Sequence, residues 1–531
     1  MGLPQEKPAA TGAANDDSNQ RPIDKFKGRQ TKEIVLGFAG PIGCGLAGVI
    51  TTSETLLREM DYKVRRFKLS DFIEEQIKAK KIELDAFEGT GQAANYHRKQ
   101  AGGNVLRGKY GDDILAEYAV THIAVARGKL APKDAGIAEV VPERTAYIVD
   151  QLKHPAEIRL LSTVYRNAFY LIGATSHTTS RLSRLSESGM TDEEARTLIE
   201  RDRRDNERFG QQLEKAMQHC DVFVRTDPGP EAYKASLNRF FQLLHGTQLI
   251  GPTAQEYGMY VAHAAKAGSA CLSRQVGAAI VSKEGATLAT GRNDVPKYGG
   301  GLYAPEDGAG DERCYKSGRF CRNTTRKLDL KDKIKTSVAS LRDASDSEKI
   351  KALSDADIAL IVQKAFDNSG IPDLIEFSRS VHAEMDAIVT VAREGTASVR
   401  GATLYTTTFP CHSCARHIVA AGIERVYYIE PYEKSLASDL HADAIAFDNR
   451  VGVAIAPVRK RVEFVHFEGI APSRYLQFFM ATKERKDEAT GNLVVIDQLS
   501  LPVAVEYLDP YRDFEAKVTE DYATRVGGAA G

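Results

Sequence analysis

Two short stretches carry side chains that could hold a metal ion and use it. "VHAEMDAI" places His382 two residues ahead of Glu384, and "FPCHSCARH" places Cys411 and Cys414 three positions apart behind Pro410. One imidazole and two thiolates suit zinc, and three protein ligands leave the fourth tetrahedral position open for water, which separates a catalytic ion from a closed structural one. Glu384 then need not bind the metal. Its carboxylate can take a proton from an activated water and pass it to a leaving group. The chemistry within reach of this set is hydrolysis.

Such a site needs particular elements behind it. Cys411 and Cys414 stand one turn apart if a helix begins there, so both sulfurs can face one ion while the helix N-terminus favours the thiolates. Pro410 suits that helix start. The residues after His382 alternate apolar and polar at helical spacing, which predicts a second helix. Two other readings of the cysteine pair are a thioredoxin-like redox couple, which has no use for an H-x-E partner, and a closed zinc site with His412 or His417 as fourth ligand, which leaves Glu384 without a role.

The 531 residues are 42% hydrophobic and 27% charged, as in an ordinary soluble protein of two domains plus extensions. A formal net charge of −1 supplies no global attraction for a polynucleotide. No apolar run approaches a membrane span, and the polar, Ala- and Pro-rich residues 1–30 read as a disordered tail without a signal-peptide core, so no membrane association and a cytoplasmic location are expected. The seven cysteines, Cys44, Cys220, Cys271, Cys314, Cys321, Cys411 and Cys414, read as thiols or metal ligands rather than a disulfide framework.

Residues 31–248 alternate strands with helices, which predicts an α/β domain with a parallel sheet covered on both faces. Its first strand runs into "AGPIGCGLAG", where Gly40, Gly43 and Gly45 have the look of a phosphate-binding loop. A working loop continues with Lys and Ser or Thr, whereas Leu46 and Ala47 stand here. Residues 191–220 predict one long charged helix. A Gly-Pro break follows, and a second domain, 251–475, opens with a helix and the hairpin "VGAAIVSKEGATLATG". An insertion, 299–375, separates the hairpin from His382, and its glycine-rich part, 299–320, is expected to lie over the metal as a lid. Within it Cys314 and Cys321 read as free thiols or, with His263 or Cys271, as a second metal site. Residues 476–531 form a C-terminal extension.

H-x-E followed by P-C-x-x-C is the pattern of zinc-dependent base deaminases. Together with "CLSRQVGAAIVSKEGATLATGRND", "TTTFPCHSCARHIVAAGIERVYY" and "EPYEKSLASDLHADAI", the region resembles the cytidine and deoxycytidylate deaminase superfamily, in its deoxycytidylate branch. The resemblance implies an α/β/α sandwich around a five-stranded sheet, Zn2+ on His382, Cys411 and Cys414, and Glu384 as proton shuttle. It also implies Asn293 against the sugar or base, and Ser273, Arg274 and Lys434 on phosphate. No basic run flanks the motif, so a free deoxycytidine nucleotide is favoured over tRNA or single-stranded DNA.

The first domain, through its glycine loop and "VDQLKHPAEIRLLSTVYRNAFYLIGA", resembles a P-loop nucleoside-monophosphate-kinase-like domain that has lost catalysis. Whether it senses a nucleotide effector or keeps only the fold stays open at this point. The combination resembles bacterial anti-phage deoxycytidylate deaminases. That implies conversion of dCTP and dCMP to dUTP and dUMP, which depletes cytosine deoxynucleotides, and homo-oligomeric assembly. Such an activity would be toxic if constitutive, so restraint is expected, and whether an inhibitory RNA or protein partner supplies it stays open at this point. A phosphotransferase, or a sensor module for nucleotides or RNA, is the rival reading.

Overall fold

The computed structural model describes residues 29–84, 91–130, 143–203, 210–430, 435–446, 460–481, 484–497 and 499–526. Among them the chain forms two mixed, mostly parallel six-stranded sheets within an α/β architecture.

The first sheet is built from β1 (Ile34–Ala39), β2 (Lys63–Lys68), β3 (Thr145–Asp150), β4 (Phe169–Thr175) and β5 (Val222–Arg225), all parallel, in the order β5-β4-β1-β3-β2. The inner strands are buried throughout because helices cover both faces. Ile34, Leu36 and Phe38 join one core, while Val35 and Ala39 join the other, the period-two alternation of a strand. The edge strand β2, "KVRRFK", is charged and largely accessible, which discourages pairing with another chain.

The second sheet comprises β6 (Gly277–Val281), β7 (Thr287–Arg292), β8 (Thr403–Thr408), β9 (Arg425–Glu430), β10 (Ile445–Ala446) and β11 (Val462–His466), in the order β10-β11-β9-β8-β6-β7. The predicted hairpin is β6-β7, antiparallel, and β8 pairs β6 antiparallel and β9 parallel. The sheet has six strands where five were expected, because the two-residue β10 extends its edge beyond β11.

After β11 the chain returns to the first sheet. β12 (Gly469–Ile470) pairs antiparallel with β5. Farther on, Thr31 N donates to Glu506 O, and the Leu508–Val526 helix buries Tyr511, Glu515 and Tyr522 against the first domain. There Arg127 bridges Glu33 and Glu515, and the Tyr147 and Tyr511 hydroxyls donate to Glu33 at 2.8 and 2.7 Å. A buried guanidinium held this way is compensated on both sides, and removing either carboxylate would leave a costly unpaired charge.

The long helix expected over 191–220 is instead two, Asp192–Arg203 and Leu213–Met217. Gly210–Gln212 is not helical, and Gln212 N donates to Lys153 O at 3.1 Å, so a tertiary hydrogen bond and a glycine override local periodicity. The insertion carries three α-helices, Arg322–Ala344, the short Glu348–Lys351 and Asp355–Asp367, the last burying Ile358 and Val362. No described helix is long and apolar enough to cross a membrane.

His466, on β11, sits where the sheets meet, its ring 5.4 Å from both Phe223 of β5 and Tyr428 of β9, with Nδ1–H donating to Phe467 O. Burial pushes its imidazole down to about 4, with Arg225 and His177 adding repulsion. The unfolded ring takes its proton near pH 6.5, so this stability is fully present above 6.5 and is lost as pH falls toward 4. A loss on the order of 1–3 kcal/mol is expected between pH 7 and pH 4.5. Urea midpoints of wild type and His466→Gln at the two pH values measure it; equal acid losses in both proteins would show that His466 is not the cause.

Candidate metal centre and active site

The metal ligands come from two helix starts placed side by side. His382 is the N-cap of the Ala383–Glu394 helix, and Cys411 is the N-cap of the His412–Ala421 helix. Both helices form where the sequence predicts them. β8 delivers Pro410 and Cys411, and the Cys411 sulfur accepts from Cys414 N at 3.4 Å, as an N-cap side chain does.

The His382 helix lies directly on β7. A Cβ at Gly291 would stand 2.1 Å from Ala383 O and 2.5 Å from Ala387 N, so only glycine lets helix and strand approach so closely. Asp386 then accepts from Arg292 N at 3.1 Å, and Val381 N donates to Asp294 O at 2.9 Å, pinning both sides of His382 to the end of β7. Asp294 and Asp386 are positioning residues that the motif reading passed over. Asp386 lies four residues after His382, a helical spacing that could have pointed to it.

His382, Cys411 and Cys414 each offer one donor atom, and these atoms lie within 4.8 Å of one another. His382 Nδ1 is 3.3 Å from Cys411 Sγ and 3.4 Å from Cys414 Sγ. A tetrahedral zinc with ordinary Zn–S and Zn–N bonds holds such atoms about 3.5 Å apart, so the donors fit that ion in kind and in spacing. Hydrogen bonds from Cys414 and His382 hold the Cys411 thiol down at about 4, the thiolate that a metal requires. Among the described residues this is the one such group of three donors. His412 instead faces Glu376 at 3.9 Å, and His417 Nδ1 meets Ser413 O, so neither closes the site.

Glu384 is 4% exposed and accepts from the Cys414 thiol at 3.5 Å. Burial, reinforced by the Cys411 charge, pushes its carboxyl up to about 7. A carboxyl near neutrality both accepts and donates a proton readily. In front of it opens a cavity of about 170 Å³, walled by Asn293, Thr408, Phe409, Ser273 and Arg274 among others.

The expected substrate residues are placed unequally. Asn293 lines the cavity, but its Oδ1 accepts from Ser269 Oγ and Val276 N while Nδ2 donates to Arg274 O, so much of its amide holds the loop. Ser273 is exposed at the cavity wall. Arg274 is ion-paired to Glu430, a carboxylate that also takes Lys266 Nζ at 2.9 Å. Lys434 lies outside the described residues. Cys271, Cys314 and Cys321 are free thiols on the same cavity wall, and with His263 they are not gathered into a metal group.

In the first domain, Gly40, Gly43 and Gly45 form the turn between β1 and the Leu46–Glu59 helix, with φ of 77° at Gly43 and 80° at Gly45. Side chains of this same chain occupy the turn. Ile42 N donates to Asp202 at 2.6 Å, and Lys153 Nζ bridges Gly40 O and Asp202 at 2.9 and 2.6 Å.

Residues 252–430 match the sequence profile of the cytidine and deoxycytidylate deaminase zinc-binding region. The chain is 46% identical over 55 residues to the deoxycytidylate deaminase of Enterobacteria phage T4, covering 10% of this chain and 28% of that protein. It is 43% identical over 56 residues to ComE operon protein 2 of Bacillus subtilis (strain 168), covering 10% and 29%. It therefore spans less than a third of the length of these relatives. The crystal structure of dCMP deaminase from the cyanophage S-TIM5 in complex with dCMP and dUMP is similar at 18% identity, over 41% of this chain and 98% of that one, with a TM-score of 0.22. The donor set, the buried carboxylate and the matched profile agree: between residues 252 and 430 this chain carries the zinc-binding region of the cytidine and deoxycytidylate deaminase family.

Proposed function

We propose that the protein is a zinc-dependent hydrolytic deaminase of deoxycytidine nucleotides, converting dCTP and dCMP to dUTP and dUMP. The observation that carries this reading is the meeting of His382, Cys411 and Cys414 beside the buried Glu384 at the floor of a cavity. Zinc, when bound to these three residues, supplies the Lewis acidity that activates water near neutral pH. Glu384 takes a proton from the attacking water and returns it to the departing amine, so C4 of the base gains oxygen, the exocyclic C–N bond breaks and ammonia leaves. Phe409 at the cavity wall offers an apolar face to the base.

Depletion of cytosine deoxynucleotides during phage infection is the role that fits such an activity fused to a kinase-like domain. The sheet order of the first domain, its glycine turn and the stretch "VDQLKHPAEIRLL" support that reading of the fusion. Phosphoryl transfer by this domain is disfavoured, since Leu46 and Ala47 replace the chemical residues and Asp202 already holds a loop amide.

Incubating the full chain with dCTP, dCMP, CTP and deoxyadenosine nucleotides, with ammonia as readout, tests the proposal. Ammonia is expected from the deoxycytidine nucleotides. Release from none would remove it, and ATP consumption with dCMP or dUMP would transfer the function to the first domain.

A further inference from the structure

The insertion between β7 and His382 supplies part of the cavity wall. Its residues Cys321, Arg322 and Asn323 line the same cavity as His382 and Glu384, as do Ser378 and Arg379 on the segment that returns to the metal ligand. Arg322 and Asn323 open the 23-residue Arg322–Ala344 helix, whose first N–H groups have no intrahelical acceptor and carry its positive end.

The charges on this wall are uneven. Arg274 is ion-paired to Glu430. Arg322 is exposed and stacks on Phe320 at 5.2 Å, Arg379 donates to the backbone O of Glu312 at 3.1 Å, and neither forms an ion pair among the described residues. Glu384 is the one carboxylate among the described residues lining the cavity, and it sits at the metal end. Asn323 donates through Nδ2 to Leu374 O at 3.2 Å, while its buried Oδ1 has no protein partner. The cavity thus presents two guanidinium groups without acid partners, which complement a group carrying several negative charges.

We infer that Arg322 and Arg379 of the insertion bind the phosphates of the nucleotide and make the site select nucleotides over the bare nucleoside. This rests on the deaminase reading of the site and deepens it. Two arginines on separate segments grip a chain of phosphates better than a single one, and the nucleoside alone gains nothing from either. The insertion then acts in specificity.

Steady-state kinetics of the full chain with dCTP, dCMP and deoxycytidine test this in wild type, Arg322→Gln, Arg379→Gln and the double variant. Each guanidinium lost is expected to raise KM for dCTP about tenfold or more relative to KM for deoxycytidine, the scale of a charge-assisted hydrogen bond, with the loss in KM rather than kcat. Arg379→Lys should recover part of it. Calorimetric titration of dCTP into Glu384→Gln, with and without the arginine changes, gives the same comparison without turnover. A dCTP-to-deoxycytidine KM ratio that stays at the wild-type value would overturn the inference. Should Arg379→Gln fail to fold, the exposed Arg322 decides alone. A wild-type chain that releases ammonia from none of the three compounds instead removes the deaminase reading, a separate result.

Discussion

Glu384→Gln should lower deamination by about 10²–10⁴-fold while leaving the metal content and the fold in place. Glutamine keeps the volume and one acceptor of the carboxylate but cannot carry a proton between water and a departing amine. The site makes this substitution readable. Glu384 is buried in the first turn of the Ala383–Glu394 helix and belongs to no described ion pair, so neutralising it strands no buried cation. Its one protein hydrogen bond at hand is from the Cys414 thiol, which an amide oxygen can also accept. The check is turnover of dCTP and dCMP beside zinc stoichiometry and thermal midpoint. Near-wild-type turnover with zinc still bound would show that protons travel by another route, and the assignment of Glu384 would fall.

Removing the metal is the second large effect. His382 Nδ1 lies 3.3 and 3.4 Å from the two sulfurs, and Cys411 and Cys414 are only 4% and 1% exposed. A zinc ion held by these three donors would add its binding free energy to the stability of the fold. Chelation, or Cys411→Ala, should abolish deamination and also lower the thermal midpoint, because Cys411 caps one of the two helices that meet at the ion. At free zinc a hundredfold above its dissociation constant the stabilisation lost is about 2.7 kcal/mol, several degrees for a domain of this size. Full activity in a chelated protein shown to be metal-free would end the zinc reading. Loss of activity without loss of stability would say instead that the three donors are held in place by the scaffold.

Much of the site was legible because it is local. H-x-E and P-C-x-x-C are helix-start motifs, and one turn of helix is enough to bring Cys411 and Cys414 to one ion. Helix boundaries near them followed from short-range rules as well: the proline before Cys411 and the period of the residues after His382. Where two segments had to meet, local rules ran out. The 191–220 helix failed because Gly210 and a bond to Lys153 lie outside any periodicity. Arg274 looked like a phosphate ligand, but Glu430, more than 150 residues away, claims much of its charge. Arg322 and Arg379 carried no signal, since an arginine in a polar insertion reads as a solvated charge until its neighbours are known.

The residue types alone pointed to zinc, to a set of three protein ligands and to the carboxylate beside them, because ligand chemistry depends on side-chain type and two of the ligands lie one helical turn apart. Tertiary structure decided that β7 and β8 bring His382 to the cysteines, that Gly291 lets helix and strand touch, and that the C-terminal residues rejoin the first sheet. It also decided which arginines line the cavity without an acid partner among the described residues. These outcomes depend on contacts between residues distant in the chain, and their pairing is set by burial and charge compensation rather than by spacing.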